Sequence, residues 1–158
     1  MPADTVEQGL HELGQALGLS ASRPEKQTGR GPDVLWLFDD AGLCIEAKSE
    51  KTQPISKSDA AQLSLSLTWC EQAVDAAGAT VLPVFATNVT SSDRAEDVAF
   101  GPLLLNEAQL LDLCSRLRQL VVGLSYHGPL FSESALVGKR LTELQLTGTQ
   151  VTPKLLKF

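Results

Sequence analysis

Aromatic residues are scarce, 5% of 158, and both tryptophans, Trp36 and Trp69, sit in apolar runs where they serve a core better than a base-stacking platform. Three cysteines, Cys44, Cys70 and Cys114, are odd in number, widely spaced and set in apolar segments. That excludes a disulfide frame and a zinc site and fits reduced core thiols in a cytosolic protein. Two histidines, His11 and His127, exclude a His-rich metal site and leave few candidates for a hydrolase triad. No apolar run approaches the ~18 residues of a membrane span. Asp4, Glu7 and Glu12 near the start, with no basic leader, argue against a secretory signal. A phosphate-cradling glycine loop and internal repeats are also missing. Gly123 to His127 echoes a nucleophile elbow without its last glycine and reads as a turn.

What remains is 43% hydrophobic and 20% charged, with a mean hydropathy of +0.01, which excludes a disordered chain. A 16.9 kDa chain fits one domain, 1–158, able to bury about two-thirds of its unfolded surface. The expected class is a soluble, intracellular α/β domain. A net charge of −6 and a pI of 4.8 argue against a free-standing nucleic-acid binder. Charge is uneven, however. Between Arg23 and Lys57 six basic residues face six acidic ones, so this segment is neutral in an acidic protein.

Val6, Leu10, Leu13 and Leu17 predict a helix over 5–18, with Asp4 as N-cap and Gly18 at its stop. Residues 20–32 read as a polar loop. Residues 34–38 then read as a buried strand, Asp39 to Gly42 as a turn, and 43–48 as the hairpin partner. After a loop over 49–57, Ser58 or Asp59 caps a helix to about Ala77, with Gly78 following. Residues 80–87 form a third strand, tolerating Pro83 near its start or on an edge, and strand–helix–strand predicts a parallel crossover. A polar loop over 88–100, a short strand at 103–105 and a capping box of Asn106 with Gln109 lead into a helix to about Val122. That Leu-rich helix is core or a dimer face. The tail from Ser132 carries two weaker helical segments, with Pro153 at a helix start.

The informative stretch is Pro32-Asp33 and then Glu46-Ala47-Lys48. Period-two geometry puts Glu46 and Lys48 on one strand face and Ile45 and Ala47 on the other. A hairpin closing with Phe38 opposite Leu43 pairs Leu35 with Glu46 and Asp33 with Lys48. Asp33 is then a diagonal neighbour of Glu46, roughly 7–8 Å between backbones, and both carboxylates can share a cation. Hard Mg²⁺ or Mn²⁺ takes oxygen ligands, typically a couple of carboxylates with water and substrate phosphate. A lysine beside such an ion can position or deprotonate water, or stabilise phosphate charge. The plain alternatives are a strand-entry aspartate and an exposed Glu46–Lys48 salt bridge of little worth.

Pro32-Asp33 with Glu46-x-Lys48, inside an αββαβ order, resembles the PD-(D/E)xK nuclease superfamily of restriction endonucleases and Holliday-junction resolvases. The resemblance implies a restriction-endonuclease-like α/β core over about 5–122, a mixed central sheet flanked by helices, and a helical extension over about 132–158. It also implies that Asp33, Glu46 and the Ala47 carbonyl hold Mg²⁺ or Mn²⁺ and that Lys48 is catalytic. Glu7 on the first helix and Gln62 on the helix after the second strand are further catalytic candidates. Glu12 competes with Glu7, which fits a capping box with Asp4 equally well. The implied activity is metal-dependent phosphodiester hydrolysis in the cytoplasm, of DNA in preference to RNA. Arg23, Lys26, Arg30, Lys51 and Lys57 are loop residues placed to touch phosphates. The acidic balance implies a homodimer, or a partner domain or subunit supplying DNA affinity, with no membrane. The alternative is an inactive nuclease-fold module that binds nucleic acid or protein within a larger complex.

Overall fold

The computed structural model describes residues 2–39, 41–73, 80–126 and 134–158. Helix α1 (Ala3–Ala16) lays Leu10 and the half-buried Val6 and Leu13 on the sheet, as the apolar spacing requires. Its N-cap is Pro2 rather than Asp4, and no Asp4–Glu7 capping box forms. Asp4 lies in the first turn, where a carboxylate suits the helix dipole, and pairs with Arg23 and Lys26. Residues 20–32 are not simply loop. Strand β1 (Ser20–Ser22) adds an antiparallel edge to the sheet, and α2 (Pro24–Thr28) follows with proline at its first position.

Strand β2 (Val34–Leu37) pairs antiparallel with β3 (Ala41–Ala47), but two residues away from the expected register: Leu35 faces Cys44 and Leu37 faces Gly42. The Phe38 amide donates to the Ala41 carbonyl at 2.8 Å, so the turn is tighter than one ending at Gly42. A slip of two leaves every side chain on its own face, so the apolar pattern cannot choose between the two registers. Turn closure chooses.

Helix α3 (Lys57–Ala73) is capped by Ser56, not by Ser58 or Asp59: the Ser56 amide donates to Asp59 Oδ2 and the Asp59 amide to Ser56 Oγ. The expected helix end near Ala77 and Gly78 lies outside the described residues. Strand β4 (Thr80–Ala86) runs parallel to β3, and β5 (Leu103–Leu104) runs parallel to β4. Pro83 is tolerated because β5 reaches only Val84 and Phe85, leaving Pro83 a ladder partner on one side alone.

Helix α4 (Glu107–Ser125) carries the anticipated Asn106–Gln109 capping box. It runs through Gly123 to Ser125, so the stretch read as a turn is helical there, while His127 lies outside the described residues. Helices α5 (Ser134–Glu143) and α6 (Gly148–Val151) follow, with Pro153 in a 3-10 turn. The tail is not wholly helical: β6 (Leu156–Lys157) pairs antiparallel with β5 and completes a six-stranded sheet in chain order.

The fold is α/β, a mixed sheet flanked by helices. Alternate strand residues divide the core. Val34, Trp36, Leu43, Ile45 and Val84 meet α1, α4 and the tail, while Leu35, Cys44 and Phe85 meet Leu63 and Cys70 of α3. Both tryptophans serve packing, Trp36 fully buried and Trp69 half-buried. Cys44 and Cys70 are buried thiols, but Cys114 is exposed. Among the described residues no helix is long and apolar enough to cross a membrane.

Candidate functional site

The ladder ends at the pair Val34 with Ile45, and the next residues, Asp33 and Glu46, lie close enough for the charge of one to act on the other. The approach to Asp33 is held from α3. Gly31 has φ +90°, and a Cβ there would meet Trp69 Cε3 at 2.7 Å, so the turn before Pro32 takes only glycine. Asp33 is 7% exposed and reaches across the strands, accepting from the Ala47 amide at 2.8 Å.

Glu46 has no exposed surface. Ser66 Oγ, on α3, donates to Glu46 Oε1 at 2.6 Å, whereas Oε2 has no hydrogen-bond partner and only Lys48 Nζ, 3.8 Å away, as a counter-charge. Burial, and next the charge of Asp33, push the Glu46 carboxyl up to about 8, against the Ser66 bond and Lys48, which pull it down. At neutral pH Glu46 therefore keeps a proton, and with it Oε2 can donate to Asp33.

Lys48 Nζ donates to Gln62 Oε1 at 2.7 Å. Its backbone is pinned as firmly: the Lys48 amide donates to the Ala86 carbonyl at 2.9 Å, and Thr87 Oγ1 donates to the Lys48 carbonyl at 3.0 Å. Gln62 and Ser66 are one turn apart on α3, so a single helix face holds both Lys48 and Glu46.

Glu7 is held differently. It pairs with the buried Arg23, which also donates to Asp4 and Gln8, and it makes no direct bond to Asp33, Glu46 or Lys48. Glu7 connects to the centre through Glu25 of α2, whose carboxyl is raised by a hydrogen bond with Asp33, then by burial and by the charges of Asp33 and Glu7. Glu12 is exposed and accepts from Gln8.

Thus Asp33, Glu46, Lys48 and Gln62 come together, and Glu7 stands one carboxylate away. Sequence reasoning missed Glu25, Ser66 and Thr87; Gln62 with Ser66 at i,i+4 is the one spacing that could have pointed to a residue of this group. Arg23 is a buried ion-pair partner rather than a loop phosphate contact. Lys26 and Lys51 are paired with Asp4 and Asp59, which leaves Arg30 and Lys57 exposed. The polar residues buried among those described are Arg23, Asp33, Glu46, Ser66 and Thr87; the last four surround the Glu46–Lys48 strand end, and Arg23 holds Asp4, Glu7 and Gln8.

The donor set suits a hard divalent cation. Among the described residues no group of three or more histidine, cysteine, aspartate or glutamate side chains is arranged to hold a metal. Two carboxylates with backbone and solvent oxygens are nevertheless how Mg²⁺ is usually held, and Glu46 Oε2 is a buried oxygen without a hydrogen-bond partner, 3.8 Å from Lys48 Nζ. No family model, curated protein or solved structure matches the chain.

Proposed function

We propose that the chain is a metal-dependent nuclease of the PD-(D/E)xK kind, hydrolysing phosphodiester bonds in DNA in preference to RNA. The observation that carries the reading is Glu46: wholly buried, near Asp33, with one oxygen bonded by Ser66 and the other without a hydrogen-bond partner. Two buried carboxyls side by side repel once both are ionised, and a cation in place of the Glu46 proton removes that penalty. Asp33, Glu46 and the Ala47 carbonyl would hold Mg²⁺ or Mn²⁺. When bound, the ion supplies Lewis acidity toward water and phosphate.

The residues divide the remaining work. Ser66 occupies Oε1, so Oε2 is the Glu46 oxygen left for the ion. Gln62 takes one of the three Lys48 donors and aims the ammonium, leaving the others for attacking water or a non-bridging phosphate oxygen. Arg23 holds Glu7 beside this group. With few unpaired cations on its loops the chain binds DNA weakly alone, which supports a second copy or a partner domain or subunit as the source of affinity. The free thiols support a reducing, cytoplasmic setting.

The test is cleavage of supercoiled plasmid and of single-stranded DNA with Mn²⁺, Mg²⁺ or EDTA, with Lys48→Ala alongside. Metal-dependent cutting lost in the variant is the expected result. Cutting that persists in Lys48→Ala sinks the assignment, and DNA binding without cutting favours the inactive binding module.

A further inference from the structure

One buried pair of nucleophilic side chains has no part in the cation centre. Lys48 and Glu46 on β3 meet Gln62 and Ser66 on α3, at 2.7 Å and 2.6 Å. Two strand residues advance about 6.6 Å and four helix residues about 6 Å, so each step back along β3 matches one turn forward along α3. The next rung of this ladder is Cys44 with Cys70. Both are wholly buried in one cluster between β3 and α3, and their thiols share a hydrogen bond. Two free thiols thus face each other two residues from Glu46 and one turn from Ser66.

Helix α3 is the element such a pair controls. It supports all three residues of the centre: Gln62 aims Lys48, Ser66 holds Glu46, and Trp69, the neighbour of Cys70, packs on Gly31 at the turn that leads into Asp33. Thiols in contact stand within about 4 Å, whereas a disulfide holds its sulfurs at about 2 Å. Closing the cysteine rung therefore draws α3 and β3 together there by up to about 2 Å. The Glu46–Ser66 bond, at 2.6 Å, has no slack to follow. So α3 has to turn or tilt, and Trp69, Ser66 and Gln62 leave their places.

We propose that Cys44 and Cys70 are a modification site: hydrogen peroxide, a small uncharged oxidant, converts them to a reversible disulfide, and the crosslink switches the cation centre off through α3. The disulfide rests on the thiol pair alone, and the loss of cutting rests on the nuclease reading as well. The Cys44 thiol is pushed far up, first by its hydrogen bond with Cys70 and then by burial, so Cys70 is the sulfur that attacks. That sulfur takes one peroxide oxygen as the O–O bond breaks, giving a sulfenic acid and one water. The Cys44 sulfur then attacks Cys70, the S–S bond forms as the S–O bond breaks, and a second water leaves. Two electrons pass from the thiols to the peroxide, and the two thiol protons leave in the waters. A dithiol reductant reverses the step by exchange.

The test uses the full chain carrying Cys114→Ser, which removes the exposed thiol and leaves the buried pair. Hydrogen peroxide is added without metal and then removed, and the protein is mapped by mass spectrometry of peptides cut under non-reducing conditions. The expected product is an intramolecular link between Cys44 and Cys70, opened by dithiothreitol. With the link in place Trp69 fluorescence shifts, and Mg²⁺-dependent cutting falls about tenfold or more and returns on reduction. Cys70→Ala in the same background shows neither change.

Thiols that stay reduced, or that advance to sulfinic acid without linking, overturn the proposal. So does a link that leaves cutting unchanged, or fluorescence unchanged. Should the reduced protein not cut at all, the nuclease reading fails by itself, and mapping with fluorescence decides the thiol pair. Should Cys70→Ala not fold, reversal by dithiothreitol in the Cys114→Ser protein serves as the control.

Discussion

Glu46→Gln isolates the energetic consequence of burying this carboxylate. The Glu46 carboxyl lies at about 8 in the fold against an ordinary 4.5. Between those values the folded chain holds a proton that the unfolded chain has released, so stability is full below 4.5 and falls as pH rises through 8. That interval sets a ceiling of about 5 kcal/mol on the loss. Glu25 acts in the same direction, but it is exposed and screened, so it adds little. Asp59 does not interfere. Burial opposes its charge, but Lys51 and Ser56 hold it at about 2, so its contribution is lost only in strong acid. Glutamine is neutral, nearly isosteric and still accepts from Ser66, so Glu46→Gln abolishes the titration without a cavity. The assay is urea unfolding in EDTA from about pH 5 to about pH 9. The wild type is expected to lose several kcal/mol more than the variant across this range. Above pH 8 the variant should be the more stable of the two. Adding Mg²⁺ at the alkaline end restores wild-type stability, because the ion takes the place of the lost proton, and leaves Glu46→Gln nearly unmoved. Parallel pH profiles for the two proteins would refute the reasoning, and an absent Mg²⁺ effect on the wild type would refute the cation site.

Three further outcomes follow from the same geometry. Ser66→Ala removes the one hydrogen bond to Glu46 Oε1 and should cost about 1–3 kcal/mol, with the midpoint of the pH profile moving higher because Ser66 pulls that carboxyl down; urea titrations at several pH values check both. Gly31→Ala sets a β-carbon against Trp69 at a positive φ and should cost about 2 kcal/mol or more, with altered tryptophan fluorescence; an unchanged melting temperature would contradict the turn geometry. Arg23→Gln leaves Glu7 without its cation and should cost about 2 kcal/mol, much of it recovered in Arg23→Gln with Glu7→Gln, as a double-mutant cycle by thermal melting would show.

Much of the chain was legible from its residues because the signals were local. The apolar spacing in 5–18, the buried run at 34–38 and the Asn106–Gln109 box each name an element without help from the rest of the fold. So does the pattern that sets Glu46 and Lys48 on one strand face, since alternation follows from the backbone alone. Gln62 was reachable by the same logic, being on the helix that follows that strand. The β1 and α2 segments were missed because three residues of Ser-Ala-Ser carry no apolar alternation, although Pro24 and Gly29 bracket the short helix. A two-residue strand such as β6 is too short to show any period.

What only the tertiary structure decided is long-range and polar. Register by two residues is invisible to a period of two, so the pairing of Val34 with Ile45, next to Asp33 and Glu46, came from the closure of the Phe38–Ala41 turn. Ser66 and Thr87 look like ordinary hydroxyls until α3 and β4 are packed against β3, and Arg23 looks like a loop cation until α1 folds over it. Burial itself raises the Glu46 carboxyl. A carboxylate's charge state depends on the solvent it loses, and the chain loses that solvent only when strands and helices distant in sequence close around it.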